Sequence, residues 1–138
     1  MTPRGRALTR DDLALVRAAE EALRAGWVEG RHTVAAAVRT RSGAVYLGVN
    51  LNGTHSPCAE PVALGAAVTR GDRAFETMVA VHRRDGRFPV LSPCGTCRQL
   101  LYDYAPRARV IVRFPNGRVA RLTIEESLPA PFGSFDEG

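Results

Sequence analysis

Pro57-Cys58-Ala59-Glu60-Pro61-Val62-Ala63-Leu64-Gly65-Ala66-Ala67-Val68-Thr69 reads as a helix entered from a loop. Pro61 falls in its first turn, where a missing N–H is tolerated. From Val62 to Val68 the residues are apolar nearly all round, so the helix is buried rather than laid on a surface. Residues 50–57 before it are rich in Asn, Gly, Ser and Pro and read as a loop. Upstream, residues 34–39 and 44–49 form a hairpin around Arg41-Ser42-Gly43. Downstream, residues 77–82 read as a strand and Asp85-Gly86 as a turn. Residues 96–104 follow as a second core helix that Pro106 stops. Residues 109–114 and 118–122 are strands around the tight turn Pro115-Asn116-Gly117. A helical turn at 124–128 precedes the tail.

At the other end, residues 11–25 read as a helix capped by Thr9 or Asp11 and ended by Gly26. Leu13, Val16, Ala19 and Leu23 recur at helical spacing and are expected to face the core. Phe75, Val79, Val81, Leu100, Leu101, Val110, Ile111 and Val112 are further core positions, and Trp27 is read as packing. Strand–helix–strand crossovers in the middle imply an α/β class protein with a partly parallel sheet and helices on its faces. The whole chain, 1–138, is expected to be one domain, with residues 1–8 disordered and 129–138 an irregular tail.

The 138 residues, 45% of them hydrophobic, suffice for one core. No stretch approaches the roughly 20 apolar residues of a membrane span. The opening residues are polar rather than a signal core, which places the protein in the cytoplasm. The net charge is +5, and all 19 basic residues are Arg. They are scattered along the chain, with Arg83-Arg84 the longest run, and nucleic-acid binding needs clustering with interleaved aromatics. No nucleic-acid or membrane partner is therefore expected.

Chemistry concentrates in Cys58-Ala59-Glu60 and Pro93-Cys94-Gly95-Thr96-Cys97. Cys-x-x-Cys puts two thiolates on the first turn of a helix, and Cys58 brings a third from the start of another. Three protein ligands leave the fourth tetrahedral position open, as a catalytic zinc requires. Thiolates select zinc over hard cations. Glu60, two residues beyond a ligand, is placed to move protons without binding metal. The pattern matches zinc deaminases with three-cysteine coordination and a signature ending Pro-Cys-x-x-Cys. Two other readings stay open. Cys94 and Cys97 alone suit a redox pair. His55 as a fourth ligand gives a closed structural zinc in a module without activity. His32 and His82 are read as packing or surface residues.

On these residues the chain resembles the cytidine deaminase superfamily, and within it the blasticidin-S deaminases. Gly48-Val49-Asn50, Pro57 to Glu60, Leu91 to Gln99 and Leu128-Pro129 carry the likeness, in the family's order. The resemblance implies a three-layer α/β/α fold around a mixed five-stranded sheet, and a homotetramer whose subunits complete one another's sites. It implies zinc on Cys58, Cys94 and Cys97, and Glu60 as the proton shuttle. Asn50 would bond a sugar-side hydroxyl, the Ala59 N–H the ring carbonyl, and the Ser92 carbonyl the amino group. Thr33 and Asn52 would contact substrate, and Phe132 would pack on it from a tail lying over the site.

Three positions depart from the pattern. Asn52 stands where nucleoside deaminases carry Glu, and losing that charge-assisted bond weakens ribose binding by about 1.5–3 kcal/mol. Pro61 replaces an Arg that calms the thiolates, so Arg98 or the helix dipoles must compensate. The tail offers Phe132 and Phe135 but no Tyr. The implied activity is hydrolytic deamination of a cytosine nucleoside or a blasticidin-S-like analogue, with cytidine and deoxycytidine salvage as the alternative.

Overall fold

The computed structural model describes residues 5–133. The elements run α1 (Arg10–Gly26), β1 (Val34–Thr40), β2 (Val45–Val49), α2 (Ala59–Thr69), β3 (Phe75–His82), β4 (Val90–Leu91), α3 (Gly95–Tyr104), β5 (Arg109–Arg113), β6 (Val119–Thr123) and α4 (Ile124–Ser127). The sheet order is β2-β1-β3-β5-β6, with β4 pairing β3 off that path. The expected five strands are therefore joined by a sixth. β4 has two residues between Pro89 and Pro93, too few to show a period. Only β3 and β5, linked across α3, run parallel among the paired strands described, so the sheet is mixed as expected.

Strand alternation makes the three layers. Ala36, Val38, Met78, Ala80, Val110 and Val112 pack with α2 and α3 on one face. Ala35, Ala37, Val79, Val81 and Ile111 pack with α1 on the other. Residues of a strand buried on both faces lose the polar alternation of a half-exposed sheet, and β1 fills it with Ala and Val. Leu100 and Val16 are only partly buried, whereas Phe75, Val79, Val81, Leu101, Val110, Ile111 and Val112 are buried as expected. Trp27 packs beside the α1 layer, with the Arg83 guanidinium 4.4 Å from its ring centroid. No helix among the described residues is long and apolar enough to cross a membrane.

Helix α1 corrects the sequence reading in its register. Its buried residues are Asp12, Leu15, Ala19 and Leu23, while Leu13 is 47% exposed. Thr9 is the cap. Its hydroxyl accepts from the Asp12 N–H at 3.1 Å, and its own N–H donates to Asp12 Oδ2 at 3.0 Å. The Asp12 carboxylate, fully buried, also meets Arg39 at 3.2 Å and Arg121 at 3.5 Å. One anion thus ties α1 to β1 and β6. Residues 1–8 are not disordered throughout. Arg6 exchanges two main-chain bonds with Arg121, of 2.9 and 2.8 Å, whereas residues 1–4 lie outside the described residues.

Gly48 sets how closely α2 lies on β2. A Cβ there would come within 2.9 Å of the Ala59 carbonyl oxygen, so only Gly lets the first turns of α2 approach.

Two outcomes are expected. Asp12→Asn takes the anion from Arg121 and leaves Arg39 with Glu76 alone, and should cost about 3 kcal/mol in urea unfolding at neutral pH. Burial pushes the Asp12 carboxyl up, but Thr9, Arg39 and Arg121 together hold it below its usual range. Its contribution is therefore present above about pH 4 and lost as pH falls further, so the gap between the proteins should close in acid. An unchanged gap there would remove Asp12 from this role. Gly48→Ala should lower stability by about 1–3 kcal/mol through overpacking, read from the same titration. A protein of native stability would show that α2 does not depend on this contact.

Candidate active site

Cys58 is the N-cap of α2, and Cys94 is the N-cap of α3. Cys97 follows on the first turn of α3, and its N–H donates to Cys94 Sγ at 3.4 Å. The three sulfurs all lie within 4.8 Å of one another, and no other such group of potential ligands occurs among the described residues. Cys97 is buried, whereas Cys58 and Cys94 are open to solvent. His55 is exposed and outside the cluster, so it does not complete a closed site.

The local charge balance fits a bound dication. Burial pushes the Cys97 thiol up strongly, with the Glu60 carboxylate adding to the effect. Burial also raises Cys58. At Cys94 burial acts the same way, but hydrogen bonds from Cys97, Cys58 and Thr96 outweigh it and draw the thiol below its usual value. Three adjacent thiolates repel one another unless a cation sits between them. Two helix N-termini supply part of that positive field, each equivalent to about half a charge. The donor set, three soft sulfurs with one corner unfilled by protein, suits zinc. Arg98 does not approach the thiolates through its hydrogen bonds. Its Nε donates to the Pro93 carbonyl at 2.8 Å and its Nη1 to the Ser127 carbonyl at 3.0 Å. It therefore clamps the loop that carries Cys94 to the end of α4.

Glu60 lies in the first turn of α2, 4% exposed and outside the sulfur group. Burial pushes its carboxyl above the ordinary range, with its own N–H and the Cys97 thiol pulling back. A carboxyl raised in this way can both accept and return a proton.

Beside the sulfurs is a cavity of about 320 Å³, enough for a small molecule. Asn50, Asn52, Ala59, Glu60 and Ser92 line it together with Cys58 and Cys94. Asn50 is held from several sides. Its Oδ1 accepts from the N–H groups of Thr33 (2.7 Å) and Val34 (3.0 Å), and its Nδ2 donates to Thr33 Oγ1 at 3.3 Å. Its main-chain carbonyl pairs with His32 Nδ1 at 2.8 Å. With the carbonyl lone pairs taken, the amide has one N–H left for a ligand. Asn52 donates to the Gly30 carbonyl at 2.8 Å and accepts from Ser56 at 3.2 Å. Ser92 is fixed to β5 through Arg113, by bonds of 2.9 and 3.0 Å. The Ala59 N–H, in the first turn of α2, has no partner within the helix.

Two expected contacts are not part of this wall. Thr33 stands behind Asn50 and orients it. Phe132 is 87% exposed, and only its main chain is anchored, by Gln99 bonds of 2.9 and 3.1 Å. Phe135 lies outside the described residues. Sequence reading missed His32, Arg98 and Gln99 as supports, because their partners lie 5 to 33 residues away.

A family model described as the cytidine and deoxycytidylate deaminase zinc-binding region matches residues 9–113. A blasticidin-S deaminase of Bacillus cereus is 37% identical over 133 residues, covering 91% of this chain and 94% of that protein. A cytidine deaminase of Sporosarcina psychrophila is 34% identical over 107 residues, covering 75% of this chain and 76% of that protein. Among solved structures, the cytidine deaminase of Burkholderia pseudomallei is 28% identical with a TM-score of 0.73, covering 91% of this chain and all of that one. Both cysteine motifs fall inside the matched region, and the chain belongs to the cytidine and deoxycytidylate deaminase family.

Proposed function

We propose that this protein is a zinc-dependent hydrolytic deaminase that converts the amino group of a cytosine nucleoside, or of a blasticidin-S-like analogue, to a carbonyl. The observation that carries this reading is a buried carboxyl, Glu60, beside three converging sulfurs at the floor of a small cavity. Cys58, Cys94 and Cys97 would hold zinc, which when bound would lower the pKa of water toward about 7.

The chain's own residues do the rest. The Ala59 N–H meets the ring carbonyl and the Ser92 carbonyl accepts from the amino group, which orients C4 over the floor. Asn50 donates its remaining N–H to an oxygen on the sugar side. Glu60 takes a proton from water and delivers it to ring nitrogen N3, while the water oxygen bonds to C4. Glu60 then carries the second proton to the amino nitrogen, the C4–N bond breaks, and ammonia leaves. Water is consumed, one ammonia is released, and the ring ends as a uracil-type carbonyl. Burial makes Glu60 suited to both transfers, since a carboxyl far below neutrality would not give the proton back.

The protein works in the cytoplasm as a homotetramer with shared sites. This assembly gives the exposed Phe132 ring a place, on substrate in a neighbouring subunit. Asn52 favours an analogue over plain cytidine, because it is neutral and already bonded at both ends of its amide.

Glu60→Gln should keep its zinc by metal analysis and lose turnover by about a hundredfold to ten-thousandfold. Chelation should abolish turnover in the parent protein and added zinc restore it, while His55→Ala folds and binds metal normally. An active Glu60→Gln protein, or one that needs His55 to fold, would end this proposal. Ultraviolet absorbance with cytidine and with blasticidin S in parallel should show the higher kcat/KM for blasticidin S. The reverse order would assign the protein to nucleoside salvage.

A further inference from the structure

Arginines scattered along the sequence are gathered by the fold at the end of the sheet away from the sulfurs. Arg41 comes from the β1–β2 turn, Arg73 from the α2–β3 loop, and Arg107 and Arg109 from the α3–β5 connection. All four are exposed and line one groove of about 530 Å³. None is ion-paired among the described residues. The nearby acids are already engaged. Glu76 bonds Arg39 Nε at 2.9 Å, and Asp72 accepts from Thr40 at 2.7 Å and Tyr46 at 3.1 Å. Glu76 also lines the groove but is committed to Arg39, so the four guanidinium groups outnumber the acid there and an anion between them relieves the excess positive charge.

The groove is built rather than loose. The Arg41 N–H donates to the Ala74 carbonyl at 2.9 Å, and the Ala108 N–H to Ala105 at 2.9 Å, which fixes both rims. Tyr104, the last residue of α3, lines the groove at 51% exposure with its ring edge-on to Phe75 at 6.2 Å. It offers a fixed aromatic ledge beside the cations. Guanidinium groups pair with phosphate oxygens in a fork that a single carboxylate cannot fill four times over. The site is enclosed by loops at one end of the sheet, not drawn out as a stripe, so it suits a compact ligand better than a nucleic-acid strand.

We infer that this groove is a second ligand site that takes a polyphosphate anion, either the triphosphate of a nucleotide or a free inorganic chain. It is independent of the deaminase reading, since no residue of the sulfur site lines it.

Isothermal titration of the zinc-loaded full chain with GTP and, separately, with inorganic tripolyphosphate tests this. Both should bind saturably and weaken as salt is raised to physiological strength. Arg73→Gln/Arg107→Gln should weaken both by about tenfold or more. The charge-matched Arg10→Gln/Arg17→Gln, on α1, should stay within about twofold of the parent. GTP binding at least about fivefold tighter than tripolyphosphate, with the excess lost in Tyr104→Ala, identifies a nucleotide as the source. Equal affinities identify the free anion. Circular dichroism and zinc content report whether each variant is folded. No saturable binding by either probe, or equal losses in the two double variants, would overturn the assignment.

Discussion

Two helices point their amino-terminal ends at one spot, and most of the architecture follows from holding them there. Each N-cap is a cysteine; at α3 the Cys97 N–H donates to Cys94 Sγ, while at α2 the Cys58 side chain accepts no such bond and the first-turn N–H groups stay free. Negative sulfur is stabilised by that field and by a cation, and it would be expensive to gather without them. Convergence requires α2 and α3 on the same face of the sheet, and both pack on the face formed by Ala36, Met78 and Val110. It also requires α2 to sit close on β2, where Gly48 removes the side chain that would push it off. Arg98 then locks the loop before α3 to the start of the tail.

What could be read from the sequence was what local spacing controls. Cys58, Glu60, Cys94 and Cys97 lie within a few residues of helix starts, so their relation to those ends is written in the chain itself. The apolar strands were equally legible, because their apolar runs are short-range signals, but α2 is not buried all round as expected: Ala63, Leu64 and Ala67 face the core while Gly65 and Val68 are exposed. Leu13 misled for a physical reason. A core-facing stripe is usually apolar, but here a buried carboxylate with two arginine partners takes the first core position, and the stripe is displaced onto Leu15. The two-residue β4 has no period to detect. The roles of Thr33 and Phe132 depend on where distant segments come to rest, and spacing carries no record of that.

Asn50 shows how scaffold and recognition can share a side chain. Its carbonyl end is consumed in closing the gap between the end of β2 and the start of β1. Only a donor remains toward the cavity, so the position favours oxygen acceptors on a ligand and gives nothing to donors. Thr33 and the Val34 N–H fix the rotamer, which lowers the ordering cost of each ligand contact. A neutral Asn52 beside it adds no second carboxylate to the wall that holds Glu60.

Gln99 grips residue 132 by the peptide group alone. Nothing in that grip reads the side chain, so the identity of the ring is decoupled from the placement of the segment. Drift at this position is therefore nearly free of structural penalty, and selection can try Phe, Tyr, Leu or a polar group there one step at a time. The fold leaves residue 132 as an adjustable end on a rigid frame, through which a lineage can change its chemical preferences without rebuilding its metal-binding heart.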